Sequence, residues 1–249
     1  KVYKEMITSF RQGGLGNQMF QIAAGYSLAL DLETDFYLHD GQHHLPLQGN
    51  RIESYKDNIL KNIQFTDLSK APFAPYRYDS IEYKEIPQRD NQALIGYFQS
   101  EKYFEHNKDA VKSLFSLPAK DTEENSVSIH IRRGDYLKNP EYHLPLDDNY
   151  YREALKAIGD YSKVYVFTDS DLPQGLNTDD FHIIKLATDY DELALMSSCT
   201  HNIIANSTFS WWAAYLSKKQ GKVIAPSKWF GPKGPSNWSD IYCKDWIVI

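Results

Sequence analysis

The second half of the chain alternates between short apolar runs and helical patterns, and this alternation constrains the fold more than any other feature. VSIHI (127–131), KVYVFT (163–168), FHIIKL (181–186), NIIA (202–205) and KVIAP (222–226) read as strands. DDNYYREALKAIG (147–159), DYDELALMSSC (189–199) and STFSWWAAYLSKK (207–219) read as helices. Asp147 has the place of an N-cap, and Asp189 and Glu192 have the spacing of a capping box. Strands this short and apolar, each followed by a crossover, pair in parallel with helices covering both faces. The predicted class is therefore α/β.

The first half opens in the same way. EMITSFR (5–11) reads as a strand, GGLGNQ (13–18) as a glycine turn, and MFQIAAGYSLALDL (19–32) as a helix. Strand, glycine turn and helix in that order begin a nucleotide-type β/α unit. Residues 31–90 are rich in Asp, Asn, Pro and Tyr, and no element is assigned there. GYFQSEKYFEHNKDAVKSLFSL (96–117) reads as a short strand or turn followed by a helix. The polar stretch PAKDTEENS (118–126) is taken as a boundary, giving domains 1–120 and 121–249. With 249 residues, 42% of them hydrophobic, each half can hold a core of its own. There is no internal repeat and no low-complexity tract.

The formal net charge of −6 gives no global positive field, so nucleic acid and anionic membranes are not expected partners. Any anionic ligand has to be met locally. The two cysteines, Cys199 and Cys243, form no CxxC pair, which argues against a metal centre or a disulfide framework. No run of 18 apolar residues provides a membrane span, and no signal peptide is visible. The chain starts at Lys1 rather than Met, which leaves open whether residues precede it. Sequons occur at Asn206 and Asn237.

Three segments and one pair carry the candidate chemistry. Period two puts Val127, Ile129 and Ile131 on one face of the strand 127–131, and Ser128, His130 and Arg132 on the other. Arg132 and Arg133 stand at its carboxyl end, where open α/β sheets bind ligands, and guanidinium forks suit phosphate oxygens. The alternative is an arginine that pairs with Asp135 and ties down the turn; His130 reads equally as a core histidine. Asn206, Ser207, Thr208 and Ser210 crowd the start of the helix after NIIA, a phosphate seat with more hydroxyls than a cap needs. Trp211 and Trp212 are expected to pack that helix on the sheet. In GGLGNQ, Gly16 lets the backbone approach a ligand and Asn17 offers the contact, although neither a dinucleotide fingerprint nor a P-loop is complete. Asp169 and Asp171 could hold a divalent metal, or only form a turn.

Taken together, GGLGNQMFQ (13–21), GYFQSEKYF (96–104), HIRRGDY (130–136), FTDSD (167–171) and LMSSCTHNIIANSTFSWWAAYL (195–216) resemble glycosyltransferase family 11, the α-1,2-fucosyltransferases. The stretches follow the family's order. The resemblance implies a GT-B fold of two Rossmann-like domains with a cleft between them: an N-terminal acceptor-side domain and a C-terminal GDP-fucose-binding domain. It implies transfer of L-fucose from GDP-β-L-fucose to the 2-hydroxyl of a terminal galactoside, with inversion and no metal or other cofactor. By the same similarity Arg132 clasps the diphosphate, His130 lies beside the nucleotide, and residues 206–210 hold phosphate and fucose. Glu192, with Asp191 next to it, reads the guanine, and Asn17 reaches the donor from the opposite domain. The partners are then a nucleotide sugar and an oligosaccharide, and the lack of cysteine pairs favours a cytoplasmic bacterial or viral enzyme over a trimmed Golgi domain.

Negative charge grows on the leaving diphosphate during such a transfer, where fixed arginine and helix N–H donors stabilise it. The proton of the acceptor hydroxyl needs a base. Asp135, Glu141 and His143 all follow the arginines closely, and Asp135 and Glu141 are carried as catalytic candidates beside Arg132. Two other readings stay open: a metal-dependent GT-A-like transferase using Asp169 and Asp171, and a nucleotide-sugar-binding protein without turnover. In the metal-free reading, Asp169→Ala is expected to leave the chemistry largely intact.

Overall fold

The computed structural model describes residues 5–40, 53–176 and 181–249. The chain divides into two compact units. The first runs to Ser116 and takes back Ser239–Ile241; the second comprises Leu117–Trp238 and Tyr242–Ile249.

In the first unit, β1 (Met6–Phe10), α1 (Leu15–Asp31), β2 (Asp35–His39) and α2 (Glu53–Lys56) come first. β3 (Gln64–Thr66), β4 (Ala74–Tyr78), β5 (Gln92–Gly96) and α3 (Lys108–Leu114) follow. The strands form one sheet in the order β3-β2-β1-β5-β4, with every ladder parallel. β2, β3 and β4 lie in the stretch where the sequence suggests no element. β3 has only three residues, and β4 reads APYRY; its Pro75 is tolerated because β4 is an edge strand.

The helix after the glycine turn begins at Leu15, four residues earlier than the pattern suggests, so Gly16 and Asn17 sit in its first turn. Gly13 supplies the turn with φ +75°, where a side chain would be strained. Two glutamines then pin the loop to the helix. Gln21 accepts from the Gln12 N–H at 2.8 Å and donates to the Gln12 carbonyl at 3.0 Å, and Gln18 donates to the Gly13 carbonyl at 3.1 Å. Much of the polarity of GGLGNQMFQ is therefore structural: it satisfies backbone groups in a buried loop.

The second unit holds β6 (Val127–Ile131), α4 (Asp148–Ile158), β7 (Val164–Thr168), β8 (Phe181–Ile184) and α5 (Asp189–Ser198). β9 (His201–Ile203), α6 (Thr208–Tyr215), β10 (Val223–Ala225) and β11 (Ile247–Val248) complete it. Its sheet is also all parallel, in the order β11-β10-β9-β6-β7-β8. Counted from β6, this is the doubly wound order 3-2-1-4-5-6. The α/β expectation holds in both units. Val127, Ile129 and Ile131 pack on Tyr151, Ala154 and Ile158 of α4. On the other face Ser128 donates to the Asn202 side chain at 2.8 Å, and His130 lies 5.8 Å from the ring of Phe209 in α6. Trp211 and Trp212 are fully buried, as packing residues should be.

The capping box needs correction. The N-cap of α5 is Thr188, whose hydroxyl accepts from the Asp191 N–H at 3.1 Å and donates to the Asp191 carboxylate at 2.7 Å. Asp189 is the first helical residue, and Glu192 instead accepts from the N–H of Leu186 at 3.3 Å. Thr188 competes successfully because its backbone is extended, which suits a cap. Among the described residues no helix is long and apolar enough to cross a membrane.

Candidate active site

In the second unit the strand order reverses between β6 and β9, the place where such sheets bind ligands beyond the carboxyl ends of the strands. HIRRGDY leaves β6 there, and NSTFSWW leaves β9. The two adjacent arginines diverge, as successive residues leaving a strand do. Arg132 is bound on both sides: one Nη lies 2.6 Å from Asp135 and the other 2.6 Å from Asp169. Its guanidinium also lies 5.6 Å from the centre of the Tyr136 ring. Arg133 turns to the α4 side and donates to the carbonyl of Leu146 at 3.3 Å. Only Arg132 belongs to the cluster.

Asp169 is the anchor of this loop. The register pairs Ile131 with Thr168, so the next residues, Arg132 and Asp169, are neighbours. One carboxylate oxygen faces Arg132; the other accepts from the backbone N–H groups of Arg133 and Gly134, both at 2.9 Å. Burial disfavours its charge, but the two N–H groups and Arg132 outweigh it and hold the carboxyl below the usual range. Gly134 is required by this contact, since a Cβ there would lie 2.9 Å from the carboxylate. The Asp-x-Asp pair thus has one member committed to the arginine loop, while Asp171 is exposed. Among the described residues no group of three or more His, Cys, Asp or Glu is placed to hold a metal ion.

His130 is buried, and burial together with the nearby Arg132 charge lowers its pKa to about 4. The imidazole is therefore neutral at pH 7, and its Nδ1 has no hydrogen-bond partner among the described residues. Tyr136 donates to the carbonyl of Asn206 at 2.8 Å. Asn206 is itself buried, and its amide nitrogen donates to the carbonyls of Leu144 and Trp229, both at 2.9 Å. It clamps two loops rather than presenting an amide N–H. Ser210 is buried and donates to the Ser207 carbonyl at 3.2 Å. Of the hydroxyls crowding this helix start, those of Ser207, the N-cap, and Thr208 are on partly exposed residues.

Asp191 is ion-paired with Lys120 at 2.8 Å, a partner 71 residues away that no local pattern announces. Glu192 is half-buried, and burial raises its pKa. Glu141 is exposed and paired with Lys233, whose N–H also donates to the Glu141 carbonyl at 2.7 Å. In the first unit, Asn17 accepts from the Gln99 side chain at 2.7 Å, joining the first turn of α1 to the segment after β5. This lies at that unit's own reversal of strand order, between β1 and β5, and Gly16 is buried behind it. A recess of about 800 Å³ opens on the α4 side of the second unit, lined by Leu144–Asp147 and Pro226–Lys228 among others; Arg132 is not in its lining.

The whole chain, residues 1–249, matches the sequence model of Glycosyl transferase family 11. It is 33% identical to an alpha-1,2-colitosyltransferase of Escherichia coli, over 88% of this chain and 90% of that protein. It is 28% identical to the O-antigen biosynthesis glycosyltransferase WbnK of Escherichia coli, over 95% of this chain and 98% of the relative. A galactoside 2-alpha-L-fucosyltransferase of Caenorhabditis elegans is 24% identical, over 100% of this chain and 77% of that protein. With an arginine and a helix start placed together at the sheet's switch point, and with these relatives along its length, the chain belongs to glycosyltransferase family 11.

Proposed function

We propose that this enzyme transfers L-fucose from GDP-β-L-fucose to the 2-hydroxyl of a terminal galactoside, with inversion and without a metal ion. The observation that carries the reading is that the loop after β6, which holds Arg132, and the segment leading into α6 meet at the reversal of the second sheet, joined by the hydrogen bond from Tyr136 to the Asn206 carbonyl. Bond breaking leaves negative charge on the diphosphate. A guanidinium already fixed by two carboxylates, and the positive end of a helix, receive that charge with little reorganisation. Arg132 gives up part of its hold on Asp135 to take the phosphate, while Asp169 keeps the loop in place.

In this reading the second unit holds the donor and the first the acceptor. Glu192 has one carboxylate oxygen committed to Leu186 and one left for guanine N–H groups. Ser207 and Thr208 face the phosphate and sugar. Asn17 is assigned to the substrates as the polar residue at the first unit's switch point. A metal-dependent mechanism through Asp169 and Asp171 is disfavoured because Asp169 already has three donors. A second donor is favoured by the 33% identity to an alpha-1,2-colitosyltransferase: GDP-colitose, whose sugar is L-fucose without the 3-hydroxyl.

The test is GDP release from GDP-fucose, with and without lactose, in excess EDTA. Lactose-dependent release that ignores EDTA is expected, and Arg132→Ala should cost at least about 3 kcal/mol in kcat/KM, a loss of more than about 100-fold. Activity restored only by Mn²⁺ would overturn the metal-free mechanism. A strong preference for GDP-colitose would transfer the reading to that donor.

A further inference from the structure

Three side chains that could take the acceptor's proton follow the arginines, and the structure separates them. Glu141 is neutralised by Lys233. Asp135 is bonded to Arg132 at 2.6 Å. His143 is different. Its ring stacks on Tyr136 with centroids 4.6 Å apart and planes 12° from parallel. Tyr136 is held in turn by its hydrogen bond to the Asn206 carbonyl and carries Arg132 at 5.6 Å from its ring centre. The imidazole is thus fixed one aromatic ring away from the arginine. It is half-buried, and neither ring nitrogen has a hydrogen-bond partner among the described residues.

We propose that His143 is the general base that takes the proton of the acceptor hydroxyl. The role rests on the transferase reading above. As the acceptor O–H bond breaks, its oxygen forms the bond to the anomeric carbon. The bond from that carbon to the phosphate oxygen breaks, and GDP leaves with the electron pair. The proton goes to an imidazole nitrogen and then to solvent. A neutral imidazole suits this, because its lone pair is available at pH 7. Burial lowers the pKa of His143 and Arg132 adds to this, while Asp135 pulls the other way. The other groups around it are Tyr136, on which it stacks, and Tyr142, edge-on at 4.8 Å. The Glu141–Lys233 pair lies beyond Tyr142 along the chain.

The experiment compares wild type, His143→Gln and His143→Ala with a saturating acceptor across pH. Wild-type kcat should rise with pH along an acidic limb below the ordinary imidazole value and then level off. Both variants should lose about 100-fold or more in kcat, within the range of general-base catalysis. They should bind GDP within about twofold of wild type, and they should lose the limb. Added imidazole should restore part of the activity of His143→Ala, a rescue that a structural role would not allow. If His143→Gln keeps kcat within about threefold, or if the limb survives in it and vanishes in Asp135→Asn, the role is overturned while the transferase reading stands. A wild type without acceptor-dependent turnover would overturn both.

Discussion

His130 is the last residue but one of β6, and Arg132 follows the strand directly, two residues on. The imidazole stays neutral chiefly because burial disfavours its charge, and the Arg132 cation beside it adds to this. This gives a pH dependence of known sign. The folded-state pKa of about 4 lies below the ordinary value of 6.5. Between the two, the unfolded chain takes up a proton that the folded chain does not. Stability should therefore fall as pH drops through that window, by up to roughly 3 kcal/mol, with no further loss from this group below it. Above pH 6.5 the contribution is constant. Urea unfolding of wild type and His130→Gln at matched pH values isolates this contribution; parallel pH profiles for the two proteins would rule it out. Tyr136, read only as part of a motif, proves to join Arg132, Asn206 and His143.

At the scale of elements, the site depends on the pairing of β6 with β7. A one-residue slip would separate Arg132 from Asp169 and turn inner side chains outward. The expectation that Asp169→Ala spares the chemistry is therefore revised. The substitution removes the acceptor of two backbone N–H groups and one of the two carboxylates that orient Arg132. A stability loss of about 1–3 kcal/mol is expected, with a fall in kcat/KM that EDTA and Mn²⁺ do not change. Asp169→Asn keeps an oxygen for the two N–H groups but not the charge, so it should recover much of the stability and less of the activity. Thermal unfolding and kinetics on the two variants separate these effects; equal activity in both would show that the charge is not needed.

For the whole molecule, the notable feature is the path of the chain after β10. It joins the first unit at Ser239–Ile241 and then returns to add β11 to the second sheet. Asp240 bonds Lys102 at 2.5 Å and accepts from the Tyr83 N–H at 2.7 Å. A residue near the end of the sequence thus holds a loop near residue 83. Asp240→Ala should destabilise that region by about 1–2 kcal/mol through the lost backbone acceptor. Hydrogen exchange should speed up at Tyr83 and through 101–107 and stay unchanged in β6; uniform acceleration would mean that the contact supports more than its own unit.

The sequence by itself determined the α/β class, the strands and helices between residues 127 and 226, the burial of Trp211 and Trp212, and the family. These rest on local pattern: short and mainly apolar strands, helices with clear periodicity, and motifs whose residues are contiguous. Strands β2 to β4 stayed illegible because they are short, partly polar, and in the case of β4 contain a proline that only an edge position allows. Tertiary structure alone decided how the polar side chains are used. Arg132 could have faced solvent, but the β6–β7 register sets it against Asp169. Asn206 and Ser210 look like ligand donors in one dimension; in three they bond carbonyls of Leu144, Trp229 and Ser207. Buried polar groups must find partners, and the nearest partners are set by strand order and register, which no local spacing encodes.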